Sequence, residues 1–286
     1  MRVFFNGRIV DQSKAKVSVF DRGFMYGDGI YETLLARNGK IFRPEEHLKR
    51  FFLSAKGIGL KLPLSADEFK KAAEKVLEVN SLESARVKIM ASRGQASPGY
   101  FDKKRPKPTI VVSASFFKFW PRGIYERGVK VSLSKVRRNS IQSLNPAIKS
   151  CNCLNQILAA NAAAGSGAFE AIMLNVDGFV AEGTISNIFI VKNGMLLTPG
   201  LKSGILGGVT RSAVLELAVL NGMAARESMI RPSEIDDADE CFITSTTLEI
   251  VPVVKIGSKK IGAGVPGPVT KRLGGLLKDL IDRETS

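Results

Sequence analysis

Asn145-Pro146-Ala147-Ile148-Lys149-Ser150-Cys151-Asn152-Cys153 lies just past the middle of the chain, directly ahead of an apolar, alanine-rich stretch. The spacing of that stretch predicts a helix over residues 152–164, ended by Gly165. A helix N-terminus carries partial positive charge, which disfavours an ammonium beside it. A lysine held there is expected to have a lowered pKa and to offer a neutral, nucleophilic amine. Position alone fits an ordinary loop lysine better, because perturbed sites are uncommon. Cys151 and Cys153 form C-x-C, one residue short of C-x-x-C, and at the start of an apolar helix they read as packing residues.

Downstream of Lys149, strands over 171–176 and 179–181 flank Asp177-Gly178, and strands over 188–191 and 195–197 flank Asn193-Gly194; both read as hairpins. Glu182 follows the first hairpin and precedes Gly183-Thr184-Ile185-Ser186-Asn187; alone it reads as a turn carboxylate. Gly204-Ile205-Leu206-Gly207-Gly208-Val209-Thr210 leads into a helix over 210–220, stopped by Gly222. Glycines at a helix N-terminus let backbone N–H groups approach a phosphate, and the Thr210 hydroxyl can add a hydrogen bond. A flexible turn with a threonine N-cap explains the same residues equally well. Strands are expected over 240–244 and 250–255, with the hydroxyl cluster Thr244-Ser245-Thr246-Thr247 at the first one's end, and a last helix over 268–282.

Upstream, Asn6-Gly7 and Asn38-Gly39 each sit between short apolar runs, two further hairpin signals. A helix should begin at Pro44, carry Leu48, Phe51, Phe52, Ala55 and Ile58 on one stripe, and end at Gly57 or Gly59. Ser65 and Glu68 have capping-box spacing ahead of Phe69, Ala72, Val76 and Leu77. Strands follow over 86–91 and 109–115. The segment 118–128, with Trp120, Pro121, Gly123 and Gly128, reads as a connection. The expected organisation is a mixed α/β (α+β) chain in two lobes: a small N-terminal domain over 1–119, a linker over 120–128, and a larger, strand-rich C-terminal domain over 129–286.

Bulk composition narrows the chemistry. A 44% hydrophobic and 24% charged chain of 286 residues is an ordinary globular balance. No apolar run approaches a membrane span, Met1 to Gln12 does not read as a signal peptide, and three cysteines are no disulfide framework, so a cytoplasmic location is expected. The net charge of +15 fits nucleic-acid binding or the attraction of small anions. The basic residues are scattered apart from runs such as Lys103-Lys104-Arg105, with no basic-aromatic stripe, which disfavours nucleic acid. His47 is the single histidine: a Ser-His-Asp triad would have to use it, and a histidine-rich zinc site is excluded. No metal site is expected. No Walker loop occurs, so an enzyme of this sequence would borrow its electrophile from an organic cofactor.

In order and spacing, these segments resemble the fold-type IV (class IV) aminotransferases that use pyridoxal 5′-phosphate, a family holding branched-chain aminotransferases, D-amino-acid aminotransferases and aminodeoxychorismate lyases. The resemblance runs through Tyr26-Gly27-Asp28-Gly29-Ile30-Tyr31-Glu32, His47-Leu48-Lys49-Arg50, Ile148-Lys149-Ser150-Cys151-Asn152, Glu182 to Asn187, Gly204 to Arg211, and Thr246-Thr247-Leu248-Glu249-Ile250-Val251-Pro252-Val253. It implies that Lys149 holds the cofactor as a Schiff base and shuttles the proton. Glu182 would pair with the ring nitrogen, and Arg50, Val209, Thr210, Ser245 and Thr246 would also contact the cofactor, mostly at its phosphate. Tyr31, Lys88, Thr246 and Thr247 would face the substrate, and His47, one helical turn from Arg50, would support it. A homodimer is implied too.

Within the family the signals divide. The D-amino-acid enzymes carry an Arg-x-His carboxylate trap where this chain has Pro98-Gly99-Tyr100-Phe101. Branched-chain enzymes often have an arginine in place of Lys88 and a tyrosine near Cys153. Lys88 and Arg93-Gly94 with Gly99-Tyr100 are similar to the lyase, whose second basic residue is replaced by Pro98. Gly267-Pro268-Val269-Thr270 and residues 204–211 resemble branched-chain enzymes. The expectation is a transaminase moving an amino group between a branched-chain L-amino acid and a 2-oxo acid. The lyase and the D-amino-acid transaminase are the alternatives inside the family, and a basic nucleic-acid-binding protein the one outside it.

Overall fold

The computed structural model describes residues 1–97, 99–100 and 106–286. Pro98, Phe101 and the basic run Lys103-Lys104-Arg105 therefore lie outside the described residues. The chain forms two compact units: Met1–Lys118 with Ile148–Cys153 and Asp282–Ser286, and Phe119–Ala147 with Leu154–Ile281.

The first unit holds β1 (Arg2–Phe5), β2 (Arg8–Asp11), α1 (Arg22–Tyr26), β3 (Gly29–Arg37), β4 (Lys40–Ile41), α2 (Pro44–Gly57), α3 (Ala66–Val79), β5 (Ala85–Ser92) and β6 (Thr109–Phe116). The six strands form one antiparallel sheet in the order β2-β1-β6-β5-β3-β4. The hairpin turns are set by local chemistry: Asn6 and Gly7, and Asn38 and Gly39, all take positive φ, which fits the right-handed strand twist. α3 starts at a reciprocal capping box between Ser65 and Glu68. The apolar stripes of α2 and α3 bury Leu48, Phe51, Phe69 and Val76 against alternate residues of β3, β5 and β6, among them Leu34, Val87 and Ile110.

The segment 148–153 joins this unit from far along the chain. Ser150 bridges Ile30 in antiparallel fashion, Tyr31 N–H donates to Lys149 O at 3.0 Å, and Cys151 N–H donates to Gly29 O at 2.8 Å. A Cβ on Gly29 would lie 2.8 Å from Ala91 O of β5 and 3.4 Å from Cys151 Sγ, so glycine suits this crowded position. This pairing holds residues 150–153 out of helical geometry, so the following helix begins at Leu154 rather than at 152. Cys151 and Cys153 thus precede the helix instead of packing at its start.

The second unit holds α4 (Gly123–Glu126), β7 (Val129–Leu133), α5 (Leu154–Gly165), β8 (Glu170–Leu174), β9 (Val180–Gly183), β10 (Asn187–Lys192), β11 (Met195–Pro199), α6 (Val209–Leu220), β12 (Ala225–Ser228), α7 (Pro232–Asp236), β13 (Glu240–Ser245), β14 (Glu249–Ile256), β15 (Lys259–Lys260) and α8 (Pro268–Glu284), whose last residues belong with the first unit. The sheet runs β12-β11-β10-β13-β14-β7-β8-β9, with β15 on β14. Its parallel pairs are β11 with β12, β14 with β7, and β7 with β8; α5 crosses from β7 to β8 and α6 from β11 to β12, as parallel neighbours joined directly require. The core is aliphatic, built on Val131, Ile188, Ile190, Ile243 and Val251, with Phe189 and Phe242 stacked at 4.8 Å.

Candidate functional site

In the first unit β3 organises the chemistry. Tyr31 and Glu32 are successive residues, so their side chains leave opposite faces of the strand. The Lys149 amine sits over the Tyr31 ring, 4.7 Å from its centroid, and the exposed Lys88 ammonium lies 5.0 Å from the same centroid. With the helix beginning at Leu154, the dipole argument for Lys149 loses its local basis; the ring is what the structure places beside the amine. Cys153 Sγ is 3.7 Å from Tyr31 Oη and 3.4 Å from Ser150 O. Burial, and then the neighbouring Cys153, push the Tyr31 phenol well above its ordinary pKa, so it stays protonated and able to donate. Burial likewise pushes the Cys151 thiol up to about 11.

On the other face, Glu32 is fully buried. Arg50 Nε donates to Glu32 Oε1 at 2.7 Å and Nη2 donates to Oε2 at 2.8 Å, a bidentate ion pair. His47 Nδ1 lies 3.0 Å from the same Oε2. Burial alone would raise the Glu32 pKa, but the Arg50 charge and hydrogen bonds, with help from His47, hold it far below the usual carboxylate range. An ionised carboxylate only accepts, so His47 Nδ1 carries the proton.

Burial pushes the His47 pKa down; Glu32 offsets part of this, and the Arg50 and Lys149 charges add to the depression. The unfolded chain therefore takes up this proton first. The stability His47 permits is complete above its ordinary pKa of 6.5 and is lost as pH falls below it. No other histidine titrates in that window. Unfolding in urea between pH 7 and pH 5 is expected to show stability falling with acidification, and His47→Gln to flatten that slope; an unchanged slope would exclude His47 as its source.

In the second unit Glu182 is the penultimate residue of β9 and is buried. Arg138, itself buried, donates from Nε to Glu182 Oε1 at 2.7 Å. Leu206 N–H and Asn187 Nδ2 donate to Oε2 at 2.9 and 3.3 Å. Asn187 Nδ2 also reaches Leu206 O at 3.0 Å, tying the strand β10 to the loop before α6. That loop passes so close that a Cβ on Gly208 would fall 2.0 Å from Asn187 Oδ1, so any larger residue there would displace the Asn187 amide. Gly208 is the N-cap of α6 and brings no side-chain acceptor to the N–H groups of Val209 and Thr210. The Thr210 hydroxyl is buried and without a partner among the described residues, as is that of Thr244, which pairs across the sheet with Asn187. Ser245, Thr246 and Thr247 follow as half-buried residues at the β13–β14 turn, with Ser245 Oγ accepting from Leu248 N–H at 3.3 Å.

An uncapped helix N-terminus and two orphaned buried hydroxyls cost stability unless an acceptor-rich group satisfies them, and a phosphate does so. A buried carboxylate held by three donors suits the protonated nitrogen of a pyridine ring. The donor set thus fits pyridoxal 5′-phosphate. The structure brings Lys149, Tyr31, Lys88 and Arg50 together in one unit, and Glu182, Val209, Thr210, Ser245, Thr246 and Thr247 in the other. Glu32, Arg138, Asn187 and the Leu206 N–H were not singled out from sequence. Glu32 was visible there only inside a motif, and Arg138 only as one of several basic residues.

A strand-bound lysine over a tyrosine, a buried glutamate on the second sheet and an uncapped glycine-led helix define a class of enzyme. The sequence model of the class IV aminotransferases matches residues 29–256, and the chain belongs to that family. It is a pyridoxal-phosphate-dependent aminotransferase. A putative branched-chain-amino-acid aminotransferase of Methanocaldococcus jannaschii is 40% identical over 280 residues, covering 98% of this chain and 96% of the relative. A D-alanine aminotransferase of Bacillus licheniformis is 34% identical over 286 residues, covering 100% and 99%. Among solved structures, the branched-chain amino acid aminotransferase of Escherichia coli superposes with a TM-score of 0.96 at 30% identity, covering 100% of this chain and 96% of that one.

Proposed function

We propose that this aminotransferase moves the amino group of a branched-chain L-amino acid to a 2-oxo acid, with Lys149 as its catalytic residue. When bound, the cofactor supplies an electron-withdrawing ring that stabilises negative charge at the substrate Cα. Lys149 Nζ holds the cofactor and moves the proton at that carbon. Glu182 keeps the ring nitrogen protonated. Arg50, the α6 N-terminus at Val209 and Thr210, and the hydroxyls of Ser245 and Thr246 hold the phosphate. Tyr31, as a neutral phenol, donates to a substrate oxygen, with Lys88 and the Thr246-Thr247 turn beside the substrate carboxylate.

The observation that carries the branched-chain reading over the D-amino-acid one concerns arginine. Arg93 Nε donates to Asp28 Oδ2 at 2.8 Å, and its other nitrogens donate to Ile58 O and Gly59 O. Arg22 Nε donates to the same Oδ2 at 2.9 Å. Both guanidinium groups are thus committed to the fold and not offered to a substrate carboxylate. The D-alanine aminotransferases among the relatives support the second reading. A half-reaction screen separates them: the cofactor-loaded enzyme is mixed with single L- and D-amino acids and with aminodeoxychorismate, following the cofactor's visible absorption and pyruvate release. L-Leucine, L-isoleucine or L-valine is expected to react at least ~100-fold faster than D-alanine, about the discrimination a shaped pocket provides. Faster reaction of D-alanine, or pyruvate release, would replace this reading with one of its alternatives.

A homodimer belongs to the same proposal. α5 exposes Leu154, Ile157 and Leu158, each at least half accessible, a grouping that favours a covering partner. So does a cytoplasmic location, which suits three free cysteines. No described helix is long and apolar enough to cross a membrane.

A further inference from the structure

We propose that Glu32 is a positioning residue for the cofactor's phosphate, acting through Arg50; this rests on the reading above that Arg50 holds that phosphate. Glu32 stands in the middle of β3 with no solvent exposure, between the apolar residues Ile30 and Leu34 that face the same core. A carboxylate there is costly, and for stability alone an apolar replacement of a whole buried ion pair often does as well. What the carboxylate adds is direction. His47 and Arg50 are three residues apart on α2, so they share the helix face that meets Glu32. The carboxylate takes the Nε and Nη2 edge of the guanidinium in a planar, two-point contact and the Nδ1–H of His47 on the same Oε2. A planar group gripped at two points has its rotation about the last side-chain bonds fixed. Five N–H groups leave a guanidinium; Glu32 engages two, and the direction of the remaining three follows from that grip. Arg50 is partly exposed while Glu32 is not, so the carboxylate orients from behind and does not compete for the ligand.

The test is a double-mutant cycle on the apoenzyme: wild type, Glu32→Gln, Arg50→Ala and the double variant. Equilibrium dialysis gives the dissociation constants of pyridoxal 5′-phosphate and of pyridoxal, which lacks the phosphate. Thermal unfolding of each apoenzyme monitors folding. Glu32→Gln is expected to weaken pyridoxal phosphate roughly tenfold to a hundredfold, the range for a charged hydrogen bond, with little change for pyridoxal. The double variant should bind no worse than Arg50→Ala alone. Should Gln at this position prevent folding, Glu32→Asp, which keeps the charge but draws it back, carries the same comparison. Equal losses for both ligands, additive losses in the cycle, or unchanged affinity in Glu32→Gln beside a weakened Arg50→Ala would overturn the inference. Unchanged affinity in Arg50→Ala would overturn the phosphate role of Arg50 and the inference with it.

Discussion

Lys149→Ala is expected to leave a folded protein that has lost transaminase turnover by ~10²–10⁴-fold or more, the range associated with removing a positioned proton carrier alone. The fold should survive because the segment is held by its backbone. Lys149 N–H donates to Ser54 Oγ at 3.1 Å, Lys149 O accepts from Tyr31 N–H, and Cys151 N–H donates to Gly29 O. None of these anchors involves the side-chain amine, and the side chain is only half-buried. Its truncation belongs with surface-like changes that shift stability by about 0.5 kcal/mol. The measurement has two parts. Urea unfolding of the apoenzyme should match wild type. Borohydride treatment of the loaded enzyme should fix the cofactor covalently to wild type, adding its mass less one oxygen, and add nothing to the variant. A Lys149→Ala enzyme that turns over normally would remove Lys149 from the mechanism.

What could be read from sequence, and what could not, divides by the range of the interaction. The hairpins at Asn6-Gly7, Asn38-Gly39 and Asn193-Gly194 were legible because a left-handed backbone is a property of those two residues, and all six adopt it. The capping box at Ser65 and Glu68 and the start of α2 at Pro44 were legible for the same reason. β12, Ala225–Ser228, was not, because Ala-Arg-Glu-Ser has no apolar alternation and forms at the sheet edge through backbone pairing with β11. The helix over 152–164 was placed two residues early, since nothing local announces that Ser150 pairs with Ile30. The site shows the same division. Lys149 and Glu182 sit in recognisable local strings, whereas the pairing of Arg138 with Glu182 spans 44 residues and that of Arg50 with Glu32 spans 18. Charge complementarity across such distances leaves no period to detect.

The Arg138–Glu182 pair yields the other large effect. Both side chains are about 6% exposed, and Arg138 also reaches Asn155 Oδ1 at 3.5 Å. Arg138→Ala leaves the Glu182 carboxylate buried without its charged partner, although Asn187 and Leu206 N–H still donate to it, and breaking such a pair from one side costs about 3–5 kcal/mol. Two consequences should follow: unfolding at markedly lower denaturant, and transaminase activity reduced together with it. Stability and chemistry can be separated by replacing both partners. Arg138→Met with Glu182→Leu removes the charge pair but fills the space with apolar groups, a change that is often neutral or stabilising for buried pairs. This double variant is expected to recover most of the lost stability and none of the lost activity, because no carboxylate remains to face the ring nitrogen. The comparison needs only urea midpoints and initial rates on three proteins. Recovery of activity along with stability would mean that Glu182 serves the fold alone. Failure to recover stability would mean that the carboxylate's contacts to Asn187 and Leu206 hold the loop before α6 more firmly than its ion pair does.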